Sequence, residues 1–412
     1  MVFDWTRRVI GRRDFVKSAA ATSLGAGIFS PLAAMASNDL RPTRIESYRA
    51  LGRTGLKISD ISFGSSRLRM GDEGIVRHAF DCGVNYFDSA ETYTGGESET
   101  VLGKALAGKR DKVFLTSKTI TTPDSNRDSI MAALEGTLRR LGTDHVDVYF
   151  QHACNDVARL KNPEWYEFAG RAKQQGKIRF TGVSGHAGRL HESLDYAIDS
   201  GKFDVILCAY NFGQDPRFYQ RFLRGFDFVA LQPELPRIVA KAHDKGVGVI
   251  AMKTLMGGRI NDMSPYQKDG ATFPQAAFRW VLSNPNVNAL IVTMTSPATV
   301  DEYVGASGAT ALREGDPDLL SRYAAANSSS YCRIGCGVCE SSCPAGVAIG
   351  EVLRSRMYAL DYKDRDLAKR EYALLSANAA ACLECSSRAC AGACPYGLET
   401  ERLAESTHRM LA

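Results

Sequence analysis

Between Tyr48 and Gly305 the chain alternates, eight times over, a short apolar run of strand character with a segment of helical periodicity. The runs fall at 60–64, 85–88, 113–117, 145–152, 178–183, 204–209, 246–252 and 289–292. Near-continuous apolar runs of this length suit strands buried on both faces, and parallel strands need a long crossover between them. The intervening segments supply it. In 127–141, Ile130, Leu134, Thr137, Leu138 and Leu141 share one face, and 233–245 and 274–282 are patterned likewise. Eight such units in about 260 residues predict an α/β fold, a closed (β/α)8 TIM barrel. A doubly wound open sheet is the alternative, but it wants a G-x-G-x-x-G turn after its first strand. Phe63-Gly64-Ser65-Ser66 does not supply one.

The barrel, taken as residues 45–305, leaves much of the 412-residue chain unaccounted for. Residues 1–36 read as an address: Gly11-Arg12-Arg13-Asp14-Phe15-Val16-Lys17 resembles the twin-arginine export motif. An apolar run and a small-residue cleavage site at Ala34-Met35-Ala36 follow it. The expectation is a periplasmic or otherwise exported protein that meets the twin-arginine export machinery. The formal charge of +5 includes five basic and two acidic residues of that leader, so a processed chain carries only about +2. That gives no footing for nucleic-acid binding. No stretch approaches the ~20 apolar residues of a stable membrane span.

In a barrel of this kind the chemistry sits at the C-terminal ends of the strands. Polar residues there are Asp88 after the second run, Lys118 after the third, His152 after the fourth and Ser184 after the fifth, with Tyr93 in the loop beyond Asp88. Each alone has a structural reading, as a cap, a loop charge or a half-buried aromatic. Together they make a proton site. A tyrosine with a pKa near ~10 exchanges protons poorly near neutrality unless its phenolate is stabilised. A buried lysine does that, and an aspartate keeps the lysine charged and oriented. His152 can orient a carbonyl oxygen or share the proton.

These motifs resemble the aldo-keto reductase family. Leu51-Gly52-Arg53-Thr54-Gly55-Leu56 is similar to its opening hairpin and Asn85-Tyr86-Phe87-Asp88-Ser89-Ala90-Glu91-Thr92-Tyr93 to its most specific motif. Leu115-Thr116-Ser117-Lys118, 147–152, 176–184 and Tyr210-Asn211 follow in order. The resemblance implies Tyr93 as general acid/base, Asp88 and Lys118 tuning it, His152 orienting a small carbonyl or alcohol substrate, and a nicotinamide cofactor. Ser184 would lie near its carboxamide and Tyr210 would stack on its ring. Two departures weaken the NAD(P)H expectation. Leu207 stands where many members carry glutamine, and 293–303, where phosphate-binding bases would fall, has no lysine or arginine. Lys253 and Arg259 remain as cofactor-binding candidates in the loop after the seventh strand. Trp165, Phe212, Phe218, Tyr219, Phe222 and Tyr266 in the loops read either as the lining of an aromatic pocket or, equally, as residues that pack a lid.

Eight of the eleven cysteines lie between Cys332 and Cys394, beyond a Gly/Ala/Ser-rich stretch at 306–330 that reads as a linker. They form Cys332-x3-Cys336-x2-Cys339-x3-Cys343-Pro344 and Cys382-x2-Cys385-x4-Cys390-x3-Cys394-Pro395. Two runs closing in Cys-Pro resemble a two-cluster ferredoxin, in which the last cysteine of each run crosses to the other cluster. The resemblance implies one 4Fe-4S cluster on Cys332, Cys336, Cys339 and Cys394, and a second on Cys382, Cys385, Cys390 and Cys343. Residues 331–412 would then be a small, mainly helical ferredoxin-like domain. Structural zinc, disulfides, or a single cluster with spare cysteines are the alternatives.

Hydride transfer moves two electrons at once, iron–sulfur clusters move one. Three readings follow: a nicotinamide-loaded oxidoreductase whose clusters relay electrons to a redox partner protein or brace the fold; a nicotinamide-independent iron–sulfur protein in which the tetrad handles protons; and an electron carrier whose tetrad is idle.

Overall fold

The computed structural model describes residues 43–154, 156–186, 190–214, 234–255, 263–267, 270–327, 332, 337–360, 365–395 and 397–412. Residues 1–36, expected to be an export leader, and Arg259, Cys336, Phe218, Tyr219 and Phe222 lie outside the described residues.

An antiparallel hairpin, β1 (Tyr48–Ala50) and β2 (Lys57–Ser59), precedes eight barrel strands. These are β3 (Ile61–Gly64), β4 (Tyr86–Asp88), β5 (Phe114–Thr119), β6 (Val146–Gln151), β7 (Ile178–Gly185), β8 (Val205–Ala209), β9 (Gly248–Met252) and β10 (Ala289–Thr293). All eight coincide with the predicted runs to within two residues at either end. They pair in parallel in chain order, and β10 returns to β3 to close the barrel.

Strand side chains alternate between faces, and that parity sorts the core into two layers. Tyr86, Val148, Phe150, Val205, Leu207, Ile250 and Ile291 fill the barrel interior. Their neighbours Phe87, Tyr149, Ile206, Cys208 and Val249 pack outward against the helices. Leu51, Leu56 and Ile58 of the hairpin join the inner layer, and the Arg53 N–H bonds the Gly246 carbonyl at 2.6 Å. The hairpin therefore plugs the barrel at the N-terminal ends of its strands. Gly52 is required there: its φ is +48°, and a Cβ would lie 2.4 Å from the Gly248 nitrogen.

Helix Arg127–Leu141 starts and stops as its sequence directs. The Asn126 side chain accepts from the Ser129 N–H at 2.8 Å, and Gly142 ends the helix at φ +63°.

One expectation about the C-terminal third changes. Part of the predicted linker is a helix, Asp316–Asn327, whose Leu319, Leu320 and Tyr323 are buried in the outer core. A fully buried fork holds it, with Arg279 donating to Asp316 at 2.7 and 2.6 Å. The cysteine-rich segment lies in the same compact unit as the barrel, 42–412. It is mainly helical, with helices Ile349–Leu360, Arg365–Ala373 and Thr400–Leu411 around a small core of Val347, Ile349, Val352, Ala368, Tyr372 and Leu411. Among the described residues no helix is long and apolar enough to cross a membrane.

Candidate active site

β4, β5 and β6 end side by side, and the inward parity of Asp88, Lys118 and His152 brings the three to one rim. The Lys118 ammonium donates to Asp88 Oδ2 and to the Ser89 carbonyl, both at 2.6 Å, and to the Tyr93 hydroxyl at 3.4 Å. Thr116 Oγ1 donates to the other Asp88 oxygen at 3.1 Å. Lys118 and Asp88 are each 1% exposed, so water does not compete for the pair. The His152 ring meets the Tyr93 ring edge-on at 5.7 Å. The structure thus brings all four predicted residues together.

Burial dominates the electrostatics. It pushes the Asp88 carboxyl up and the Lys118 ammonium down, each partner opposing the shift in the other. Tyr93 is held well above its ordinary value, first by burial and then by Asp88, Glu371 and Tyr358. This differs from the expectation that Lys118 lowers it, because the ammonium is already neutralised by Asp88 at the shorter distance. Tyr93 therefore rests protonated, as a proton donor must. His152 is pushed well below its usual range by burial and by Lys118, Arg159 and Lys253, so its ring is neutral. Sequence reasoning missed Arg159, which donates to the His152 and Ala153 carbonyls, both at 2.7 Å, and so fixes the loop that carries the histidine. A lone arginine on the short helix Val157–Leu160 gives no signal in the sequence.

With this geometry in place, comparison with known proteins gives a clear result. The model of the Aldo/keto reductase family matches residues 69–317, more than half of the chain. The chain belongs to the aldo/keto reductase family. It is 28% identical over 302 residues to the L-galactose dehydrogenase of Arabidopsis thaliana, covering 64% of this chain and 88% of that protein. It is 29% identical over 219 residues to the methylglyoxal reductase YeaE of Escherichia coli, covering 52% and 72%. The aldo-keto reductase AKR11C1 of Bacillus halodurans, solved in its holo form, superposes with a TM-score of 0.54 at 21% identity over 68% of this chain and 96% of that one. That likeness shows the shared fold. The family match ends before Cys332, so it does not reach the cysteine-rich segment.

The side chains expected to hold a nicotinamide in this family member are engaged elsewhere. Ser184 Oγ accepts from the Ala153 N–H at 3.1 Å and donates to the Gln151 carbonyl at 3.3 Å, clamping β7 to the loop after β6. Tyr210 has the outward parity of Ile206 and Cys208. Its ring packs on Trp280 at 5.1 Å and its hydroxyl accepts from Asn284 at 2.9 Å, in the layer between strands and helices. The stacking role is therefore not available to it in this arrangement. Leu207 is buried in the barrel interior, as an apolar residue there should be. Among the described residues, the set does not fit a nicotinamide held in the expected way. The aromatic pocket also changes: Trp165 stacks on Tyr149 and Phe212 packs against Phe273 and Tyr323, all in the outer core, while Tyr266 is exposed.

What lies over the rim instead comes from the cysteine-rich segment. Arg354 Nη1 donates to the His186 carbonyl at 2.9 Å, beyond the end of β7. Lys253, after β9, donates to the Tyr358 hydroxyl at 2.6 Å. Arg354 also pairs with Glu351, and Cys332 is among the groups acting on it.

Cys343, Cys382, Cys385 and Cys390 line one small cavity, partly open to solvent, with Arg388, Glu401 and Glu405 at its wall. None of the described cysteines is in a disulfide. Burial raises the Cys382 thiol to about 11, and Cys343, Cys390 and Cys385 push it in the same direction. Thiols that oppose one another's ionisation around one space suit a cationic centre that stabilises thiolates. The residues fit an iron–sulfur cluster or another soft metal centre. Of the other predicted set, Cys339 is buried, and Cys332 and Cys394 are partly buried. The Cys332 sulfur lies 3.8 Å from where a Cβ of Gly350 would stand.

Proposed function

We propose that this aldo/keto reductase is an exported enzyme that interconverts a small carbonyl compound and its alcohol, with Tyr93 as general acid/base. Reduction of a carbonyl takes two electrons and two protons, and Tyr93 supplies the proton that reaches oxygen. Lys118 and Asp88 hold the hydroxyl, and neutral His152 orients the substrate oxygen beside it. The observation that carries this reading is the buried contact of Lys118 with both Asp88 and Tyr93. The names of the relatives support it, since one is a dehydrogenase and the other a reductase.

Two 4Fe-4S clusters are proposed on the cysteine sets: Cys343, Cys382, Cys385 and Cys390 for one, Cys332, Cys336, Cys339 and Cys394 for the other. Such clusters supply one-electron transfer. Three observations favour the nicotinamide-independent form of the reading: Tyr210 faces away from the rim, the Ser184 hydroxyl is occupied, and Arg354 and Tyr358 stand over β7 and β9. The electron source would be a low-potential one-electron carrier protein. The resemblance of residues 11–17 to the twin-arginine motif supports export after folding.

The test is anaerobic purification from the exported fraction, with iron and sulfide counts and titration with NADH and NADPH. About eight irons per chain and no nicotinamide binding are expected. Tight NADPH binding would overturn the nicotinamide-independent form, and a chain without iron would overturn the clusters.

A further inference from the structure

Helix Glu73–Asp81 follows β3 and helix Pro297–Val304 follows β10, the two strands whose pairing closes the barrel. The two helices pack side by side. Cys82 extends the first helix by one residue in helical conformation, its N–H donating to the His78 carbonyl at 2.9 Å. His78 and Cys82 therefore stand one turn apart on the same face. The Ile45 N–H, donating to the Cys82 carbonyl at 2.8 Å, fixes that turn. Asp301 meets the two from the second helix.

Three ligand atoms of different chemistry converge there. His78 Nε2 stands 2.8 Å from Asp301 Oδ1, and Cys82 Sγ lies 3.7 Å from that nitrogen and 3.8 Å from that oxygen. A tetrahedral zinc ion, ~2.3 Å from sulfur and ~2.0–2.1 Å from nitrogen and oxygen, sets such atoms about 3.3–3.6 Å apart. The triangle departs from that by about half an ångström or less, and the half-exposed Asp301 side chain can rotate to take up the difference. A catalytic Cys-His-Asp relay would place its two outer groups on opposite nitrogens of the imidazole. Here both approach Nε2, which suits three ligands around one ion and not a proton relay. A thiolate and a carboxylate neutralise a divalent ion, and the helix C-terminus beside Cys82 adds partial negative charge. The other charged groups acting on Cys82, Arg44 and Asp81, are one of each sign.

We propose that His78, Cys82 and Asp301 form a zinc(II) site, with water as the fourth ligand, that ties the first barrel helix to the last across the closure seam. A borderline-soft divalent ion suits thiolate, imidazole and carboxylate together. Cys82 is 6% exposed, whereas the His78 and Asp301 side chains are 35% and 48% exposed, so the fourth position opens to solvent. The site stands beside the turn into β4, at the opposite end of that strand from Asp88. Residues at that end of a barrel serve stability and not chemistry. Cys82 and Asp301 are 219 residues apart, so the ion closes a loop that runs around the whole barrel.

The test adds one equivalent of zinc(II) to the anaerobically purified full chain, removes unbound metal by desalting, and counts the ligands by X-ray absorption at the zinc K-edge. About one sulfur at ~2.3 Å and two or three nitrogen or oxygen atoms at ~2.0–2.1 Å are expected. Cys82→Ser should remove the sulfur. In competition with a fluorescent zinc chelator, Cys82→Ser, His78→Gln and Asp301→Asn should each weaken binding at least ~10-fold. Zinc at a hundredfold excess over its Kd should raise the melting temperature of the wild type by about 3–5 °C and leave that of Cys82→Ser unmoved. Circular dichroism and iron content serve as folding controls. A wild type that retains no zinc overturns the inference. So does a spectrum of about four sulfurs that Cys82→Ser leaves unchanged, because that metal sits on the cysteine-rich segment. Zinc bound through Cys82 without a rise in melting temperature overturns the tie across the seam.

Discussion

Replacing Lys118 with methionine keeps most of the side-chain volume and removes one charge from a site where water cannot replace it. Asp88 would lose its 2.6 Å partner and keep only the Thr116 hydroxyl at 3.1 Å. Breaking a buried pair by removing one partner costs about 3–5 kcal/mol, most of it the stranded charge. For a chain of this size that corresponds to a fall in melting temperature of roughly 3–8 °C. The sign of the pH dependence follows from the direction of the Asp88 shift. Burial already raises its carboxyl, and Lys118 is the first group opposing that rise, so the variant carries Asp88 still higher. A carboxyl raised on folding contributes stability that is present below its unfolded value near ~4 and is lost as pH climbs through the folded value. Lys118→Met should therefore differ least from the wild type at acid pH and most at pH 8. Asp88→Asn/Lys118→Met should recover most of the loss, because no charge is left behind. Melting curves of the three proteins from pH 5 to pH 8 decide the matter. A Lys118→Met loss that does not change with pH, or a double variant no more stable than the single, would refute the reasoning.

Two further outcomes follow from the C-terminal third. Asp316→Asn should cost on the order of 3–5 kcal/mol, since it strands the Arg279 guanidinium at 1% exposure; the reading fails if thermal unfolding is unchanged. Cys385→Ser should halve the iron recovered on anaerobic purification and leave Tyr93 chemistry's protein scaffold folded, as judged by circular dichroism; undiminished iron would remove Cys385 from the set.

The barrel was legible because its strands are buried on both faces and so announce themselves as apolar runs. The tetrad was legible because strand parity and strand ends together dictate where Asp88, Lys118 and His152 must point. Tyr210 shows the same rule neglected: it stands an odd number of residues from the inward Val205 and Leu207, and counting by twos would have turned it outward. Helix Asp316–Asn327 was hidden by its small-residue surroundings, although Leu319, Leu320 and Tyr323 carry a helical spacing. The contact of Lys253 with Tyr358 spans 105 residues of sequence, and nothing local to either residue announces the other. The same holds for Arg354 and the His186 carbonyl, 168 residues apart. Burial explains the remaining difference, since a residue list gives the charges around Tyr93 but not the desolvation that outweighs them.

The central claim is that the Tyr93 hydroxyl supplies the proton. Steady-state reduction of a panel of small aldehydes and ketones by Tyr93→Phe, with dithionite-reduced methyl viologen and separately with NADPH as donor, tests it most directly. With whichever donor supports the wild type, kcat/KM is predicted to fall by about 10²–10⁴ while the iron content stays unchanged. A variant that turns over at the wild-type rate would contradict the account.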